Sequence, residues 1–162
     1  MLERRKVTEA DIKTIHPIIT EIWQEVYTPI IGSSQVAYML ETYQGPENIR
    51  QEMQQGTQYY LLFLENTCVG YTAYEVKPDY LYLSKIYIHQ AYRGQGLMRE
   101  VFDWYDQLSQ ELKLKQRLRV NQKNSQAIAV YQHRGFKLIK EDIADIGQGF
   151  LMIDYFFEKN CC

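Results

Sequence analysis

The chain reads as a single α/β domain, residues 1–162, built on a mixed sheet. Three observations carry that expectation. The first third holds apolar residues at helical spacing, the texture from Gln58 onward turns to β-branched and aromatic runs bounded by turn residues, and helical and strand patterns then alternate before the chain ends in two strands.

Glu3–Val7 reads as a short first strand. Thr8 with Asp11 three residues on resembles a capping box, and Ile12, Ile15, Ile19, Ile22 and Val26 then share one helix face. Pro17 lies inside that run; a proline costs a helix interior about 3 kcal/mol, so either a kink or a break is expected there, with the helix ending at Tyr27-Thr28-Pro29. A second helix, Ser33–Tyr43, places Val36, Met39, Leu40 and Tyr43 on one side. Gly45-Pro46 separates it from a third, Glu47–Gln55, with Pro46 suited to the first helical position.

YYLLFLE, from Tyr59, and CVGYTAYEV, from Cys68, read as a hairpin about Glu65-Asn66-Thr67. Lys77-Pro78-Asp79 turns into a central strand running from Tyr80 to Ile88. The loop Arg93-Gly94-Gln95-Gly96 follows, and Leu97, Val101, Trp104, Leu108 and Leu112 then recur at helical spacing. A short strand ends at Val120-Asn121, a helix starts near Asn124 or Ser125, and Gly135 sits where a left-handed C-cap belongs. Phe136–Ile146 and Phe150–Phe157 read as closing strands about Gly147-Gln148-Gly149. That last hairpin, rich in apolar and aromatic residues, suits a homodimer surface or a core equally.

Composition narrows the function. With 46% apolar and 23% charged residues the chain is an ordinary globular one, and a net charge of −2 supplies no basic footprint for nucleic acid. No stretch has the roughly 20 apolar residues of a membrane span, and the N-terminal residues lack the apolar core of a signal peptide, so a cytoplasmic protein without a membrane partner is expected. The three cysteines, Cys68, Cys161 and Cys162, make neither a disulfide framework nor a zinc site; no metal is expected.

A glycine loop feeding a helix aims unsatisfied N–H groups and the positive end of a helix dipole at one small volume, which suits a phosphate or pyrophosphate. No Gly-Lys-Ser/Thr ending follows, which argues against a Walker-type nucleotide switch. The pair YIHQAYRGQG and VNQKNSQAIAVYQHRGF resembles the GCN5-related N-acetyltransferase (GNAT) superfamily, through Arg93, Gly96 and Met98, then Asn124, Ala127, Tyr131, Gly135 and Phe136. Met98 stands where the family usually has a small residue. The resemblance runs from about Gln58 to the chain end, and the tail resembles the bacterial branch that includes PaiA-type polyamine acetyltransferases.

That resemblance implies a mostly antiparallel central sheet splayed between its fourth and fifth strands, with helices on both faces, and transfer of an acetyl group from acetyl-coenzyme A to a primary amine of a small molecule. It implies pyrophosphate on the backbone of Gly94, Gln95, Gly96, Leu97, Met98 and Arg99, with Arg93 adding charge, and the pantetheine arm beside Ile86, Tyr87 and Ile88. The Ile88 N–H becomes the oxyanion donor, Asn124 a partner for the amide-bearing arm, and Tyr131 the general acid, protonated at neutral pH as a tyrosine of pKa ~10 is. The branch often carries a glutamate base where this chain has Ser84, which could instead hold a relaying water; Glu75 and Glu25 are alternatives, and Lys85 reads as solvated or paired. For the acceptor, Trp23, Glu25, Tyr27 and Tyr43 are candidates, since rings with a carboxylate nearby suit a cationic amine. The same fold without an effective base would serve as an acyl-coenzyme A sensor.

Overall fold

A computed structural model describes residues 1–161. The elements follow in the expected order: β1 (Leu2–Lys6), a short 3-10 helix, α1 (Ile12–Ile31), α2 (Ser33–Thr42), α3 (Pro46–Gln54), β2 (Gln58–Leu64), β3 (Thr67–Val76), β4 (Tyr80–Ile88), a second 3-10 turn, α4 (Leu97–Leu112), β5 (Lys115–Asn121), α5 (Ser125–His133), β6 (Lys137–Gly147) and β7 (Phe150–Lys159). Hydrogen bonding orders the seven strands β1-β2-β3-β4-β5-β7-β6. The β1–β2, β2–β3, β5–β7 and β6–β7 pairs are antiparallel and β4–β5 is parallel, giving the mixed, mostly antiparallel sheet of the fold class expected. No helix among the described residues is long and apolar enough to cross a membrane.

The chain clusters into two compact units, one of Met1–Glu75 with Lys85–Val101, the other of Val76–Ser84 with the residues from Phe102 on. In the first, α1 lays Ile12, Ile15, Ile19, Ile22 and Trp23 into the core, joined by Val36, Ile49, Tyr59, Leu62 and Tyr71. The capping box forms as read: Thr8 N and Oγ1 donate to Asp11 Oδ2 at 2.8 and 3.0 Å. The expected end of α1 at Tyr27-Thr28-Pro29 fails, and of the two outcomes expected at Pro17 the break does not occur. The helix runs unbroken through Pro17 and past Pro29 to Ile31, and ends at Gly32 with φ 85°. Burial of five large apolar side chains on one face, each worth about 1.5–3 kcal/mol, outweighs the two lost backbone hydrogen bonds.

The second unit packs Leu81 and Leu83 of β4 with Phe102, Tyr105, Leu118, Val120, Phe136, Met152 and Phe157. The registered β4–β5 pairs run from Tyr80↔Lys115 to Leu83↔Leu118, whereas β4 itself runs on to Ile88. Arg117 Nε donates to Glu158 Oε2 at 2.8 Å across the β5–β7 pair, and Arg119 Nε donates to buried Asp154. The buried stripe of α4 is rotated from the one expected. Leu97 and Val101 are buried as read, but the stripe continues through Phe102, Tyr105 and Ser109, while Leu112 is exposed. Ser109 belongs inside because its Oγ donates to the Leu114 carbonyl just beyond the helix.

Candidate active site

The end of β4 sorts its backbone groups into two edges. The Lys85 carbonyl accepts from Thr72 Oγ1 at 2.6 Å and the His89 N–H donates to the Val69 carbonyl at 2.7 Å, so Lys85 and His89 address β3. Alternation along the strand then turns the N–H and C=O of Ile86 and Ile88 toward the other edge, while their side chains are buried. Tyr87 faces β3 in backbone: a Cβ built on Gly70 would lie 2.1 Å from the Tyr87 carbonyl oxygen, so only glycine fits there.

The loop that follows is conformationally committed. Gly94 and Gly96 hold φ of 78° and 79°, and a Cβ on either would meet no atom within 4 Å, so the positive φ rather than crowding demands glycine. Gln95 lies between them, and α4 opens at Leu97, so the first N–H groups of Leu97, Met98, Arg99 and Glu100 have no partner within the helix. Leu97 is buried, Met98 half-buried and Arg99 exposed. Arg93 turns back, its Nε donating to the Ile88 carbonyl at 3.1 Å, and thereby ties the loop to the strand end. These residues form a continuous stretch of one unit: strand edge, loop and helix N-terminus.

Glu25 lies at the same strand end. Its Oε2 accepts from the Gln90 N–H at 3.0 Å and its Oε1 is 3.6 Å from His89 Nδ1, whose Nε2 is 3.0 Å from Glu21. Glu25 therefore braces the turn after β4. Trp23 and Tyr27 do share a helix face, with ring centroids 4.7 Å apart. Trp23 is buried and its Nε1 donates to Tyr71 Oη at 2.7 Å; the Tyr27 and Tyr87 hydroxyls are 2.7 Å apart. Tyr43 is partly exposed, its ring edge-on to Tyr38. Glu75 Oε1 accepts from Thr57 Oγ1 at 3.0 Å.

The sequence reading missed a polar cluster beneath these rings. Tyr59 Oη donates to Glu52 Oε1 at 2.6 Å, and Lys85 Nζ stands 4.0 Å from Glu52 Oε2. Buried Gln44 bridges to the Tyr59 and Tyr71 hydroxyls at 3.4 Å each. Burial pulls the Lys85 ammonium below the usual lysine range, against the opposing pull of Glu52 and Glu75, and burial likewise raises both the Tyr59 and Tyr71 hydroxyls. The signal available in sequence was the alternation of tyrosines at 59, 71 and 87 on strands, whose inward faces bring three rings together: Tyr59 and Tyr71 stack with centroids 6.5 Å apart, Tyr71 and Tyr87 lie 5.3 Å apart.

The second unit holds the other motif residues. Ser84 closes its stretch of β4 and is half-buried. Asn124 caps α5, its Oδ1 accepting from the Ala127 N–H at 3.3 Å. The helix ends as read, with Gly135 at φ 96° and the Phe136 N–H reaching back to the Tyr131 carbonyl at 3.0 Å, a Schellman closure. Tyr131 sits among Phe102, Phe136 and Phe157, ring centroids 5.8, 6.1 and 6.4 Å away, and this aromatic seat holds its ring in place.

A family model described as the acetyltransferase (GNAT) domain matches residues 27–155. Among solved structures, the chain is similar to a PaiA N-acetyltransferase from Thermoplasma acidophilum in complex with coenzyme A, at 18% identity and a TM-score of 0.80, covering 99% of both chains. It is also similar to a GCN5-related N-acetyltransferase from Rhodopseudomonas palustris, at 14% identity, TM-score 0.77, covering 98% of this chain and 94% of that one. The ribosomal-protein-S18-alanine N-acetyltransferase from Escherichia coli resembles it at 15% identity, TM-score 0.72, over 99% and 94%. No curated protein matches the sequence. The strand edge, glycine loop and helix start thus sit in a chain that belongs to the GNAT family: it is an N-acetyltransferase, with acetyl-coenzyme A as its cosubstrate.

Proposed function

We propose that this enzyme moves the acetyl group of acetyl-coenzyme A directly onto a primary amine of a small cationic molecule, a polyamine or a close analogue, and that the whole chain works as one N-acetyltransferase domain. The observation that carries the reading is the run from Ile86 to Arg99: two residues with backbone groups turned away from β3, then two positive-φ glycines, then a helix N-terminus. An extended amide-bearing arm pairs with the first of these like an added strand, and a pyrophosphate suits the last.

In this reading the acceptor nitrogen, freed of its extra proton, attacks the thioester carbonyl, the Ile88 N–H supports the oxyanion, and Tyr131 protonates the departing sulfur. The aromatic seat of Tyr131 supports that role by limiting how far the ring can wander. Glu25 is better suited to bracing the β4 turn than to taking the proton, which leaves a water at Ser84 or the Glu75 carboxylate as the first stop. Exposed Leu138, Ile143 and Leu151 on the last hairpin favour self-association as a homodimer, which sedimentation can read.

The test is thiol release from acetyl-coenzyme A across polyamines, amino acids, aminoglycosides and peptides. Acceptor-dependent release strongest with polyamines is the expected result. Cofactor binding with silence against every amine would instead mark an acyl-coenzyme A sensor.

A further inference from the structure

The turn between β4 and the glycine loop is fastened from helix α1. Glu21 and Glu25 stand four residues apart in that helix and so share one face of it. Glu21 Oε1 is 3.0 Å from His89 Nε2, Glu25 Oε2 takes the Gln90 N–H at 3.0 Å, and Glu25 Oε1 stands 3.6 Å from His89 Nδ1. The turn hands these contacts on to the loop. The Tyr92 N–H donates to the His89 carbonyl at 2.9 Å, the Arg93 N–H to the Gln90 carbonyl at 3.3 Å, and Arg93 Nε to the Ile88 carbonyl at 3.1 Å. Strand end, turn, loop and α1 all belong to one compact unit.

His89 makes this fastening in either of two ways. Its Nε2 faces a carboxylate, so that nitrogen carries its hydrogen whatever the charge of the ring. Nδ1 meets two groups that ask opposite things of it: the Ala91 N–H donates to it at 3.4 Å, which needs a bare nitrogen, whereas Glu25 Oε1 needs a protonated one. With the ring neutral, Glu25 Oε1 faces a lone pair. With the ring protonated, the long Ala91 contact gives way to a charge-assisted bond to Glu25, and a positive charge sits between two carboxylates. Among the described residues, Tyr92 is the other titratable side chain against the imidazole, ring centroids 6.3 Å apart, while β3 offers the Val69 carbonyl to the His89 N–H. The His89 and Glu25 side chains are 25% and 20% exposed, which limits screening of the pair by solvent. Neutral, the cluster leaves two negative charges at the root of a loop proposed to hold a pyrophosphate; one proton cancels half of them.

We propose that His89 is a positioning residue for acetyl-coenzyme A: protonation of its ring draws Glu25 onto the turn, fixes the backbone from Ile88 to the glycine loop in its binding geometry, and makes cofactor binding tighten as pH falls. By reciprocity, the bound cofactor favours uptake of a proton at His89. His89 acts through the turn and touches no reacting atom. The inference rests on the reading that places the cofactor along Ile86 to Arg99.

The experiment measures acetyl-coenzyme A affinity by calorimetry from pH 6 to pH 8 in the wild type, His89→Gln and Glu25→Gln, with a melting curve for each protein. Glutamine at 89 keeps one donor and one acceptor but takes up no proton, and glutamine at 25 keeps an oxygen for the Gln90 N–H. The phosphate monoester of the coenzyme ionises in the same pH range, so the ratio of wild-type to variant affinity is read at each pH. The expected ratio for His89→Gln is near one at pH 8 and rises to about three- to tenfold in favour of the wild type at pH 6. Glu25→Gln should show a flatter wild-type-like rise, because the proton loses its second carboxylate. A ratio that stays constant across the range, whether at one or at a uniform loss, overturns the proposal, since a merely structural histidine gives that result. Amide exchange in the wild type separates this failure from a deeper one: cofactor-dependent protection from Gly94 to Arg99 with a constant ratio overturns the role of His89 alone, and absence of that protection overturns the placement of the cofactor as well.

Discussion

The carbonyl oxygen of Tyr87 lies 2.1 Å from where a Cβ on Gly70 would sit, with the Ile88 Cα a further contact at 3.1 Å. β3 and β4 therefore approach closely at the residues whose opposite edge is proposed to hold the cofactor. Gly70→Ala must push the strands apart there. We expect a loss of about 1–3 kcal/mol in urea unfolding, together with weaker acetyl-coenzyme A binding, since Ile86 and Ile88 would shift with the backbone. Unchanged stability would mean that β4 is not held in this way.

Gly94 and Gly96 make a different demand. A side chain at either meets no neighbour, but φ near +79° strains any L-residue by about 1–2 kcal/mol. Gly96→Ala is expected to lower the melting temperature modestly and to weaken acetyl-coenzyme A binding in calorimetry, because the loop must abandon the geometry that aims its amides. Equal affinity for wild type and variant would separate the loop from the cofactor.

Tyr131→Phe keeps the ring contacts with Phe102, Phe136 and Phe157 and removes only the hydroxyl. If that hydroxyl protonates the leaving thiolate, kcat should fall about a hundredfold or more with the KM for acetyl-coenzyme A little changed. A rate within twofold of wild type would leave Tyr131 with a packing role alone.

Acid should unravel the second unit in a definable window. Burial pushes the Asp106 carboxyl up, but hydrogen bonds from Lys159 and Gln116 and the charges of Lys159 and Arg134 outweigh it and hold it below the usual range; Arg117 and Lys115 do the same for Glu158 against its burial. Depressed carboxylates stabilise the fold above their unfolded values, near pH 4, and that stability drains as pH falls through the lower folded values. Melting temperatures should thus drop steeply below about pH 4, and Asp106→Asn should be less stable at pH 7 yet show a flatter acid limb. An acid limb of equal steepness in the variant would show that Asp106 contributes no such linkage.

Much of this architecture was legible because local patterns and tertiary fold agree. The capping box at Thr8, the glycine loop, the α5 cap at Asn124 and the Gly135 closure are local devices, each signalled within a few residues. Long-range packing hid the rest. The local cost of proline predicts a kink or a break at Pro17 and an end at Pro29, while the gain that carries the helix on to Ile31 comes from Ile15, Ile19 and Ile22 meeting partners remote in sequence. The α4 stripe was read through Trp104 and Leu108 because Ser109 looks like a surface residue until its bond to Leu114 is seen. Glu25 sits near Trp23 and Tyr27 in sequence but is drawn to Gln90 and His89, and Glu52 meets Lys85 only through the packing of α3 over the strands.

The most direct measurement of the central claim is residue-resolved amide hydrogen exchange with and without acetyl-coenzyme A. The expected result is slowed exchange at Ile86, Ile88 and the amides from Gly94 to Arg99, with β1 and β2 unmoved. Exchange at those amides that is indifferent to saturating acetyl-coenzyme A, or protection that falls elsewhere in the chain, would contradict it.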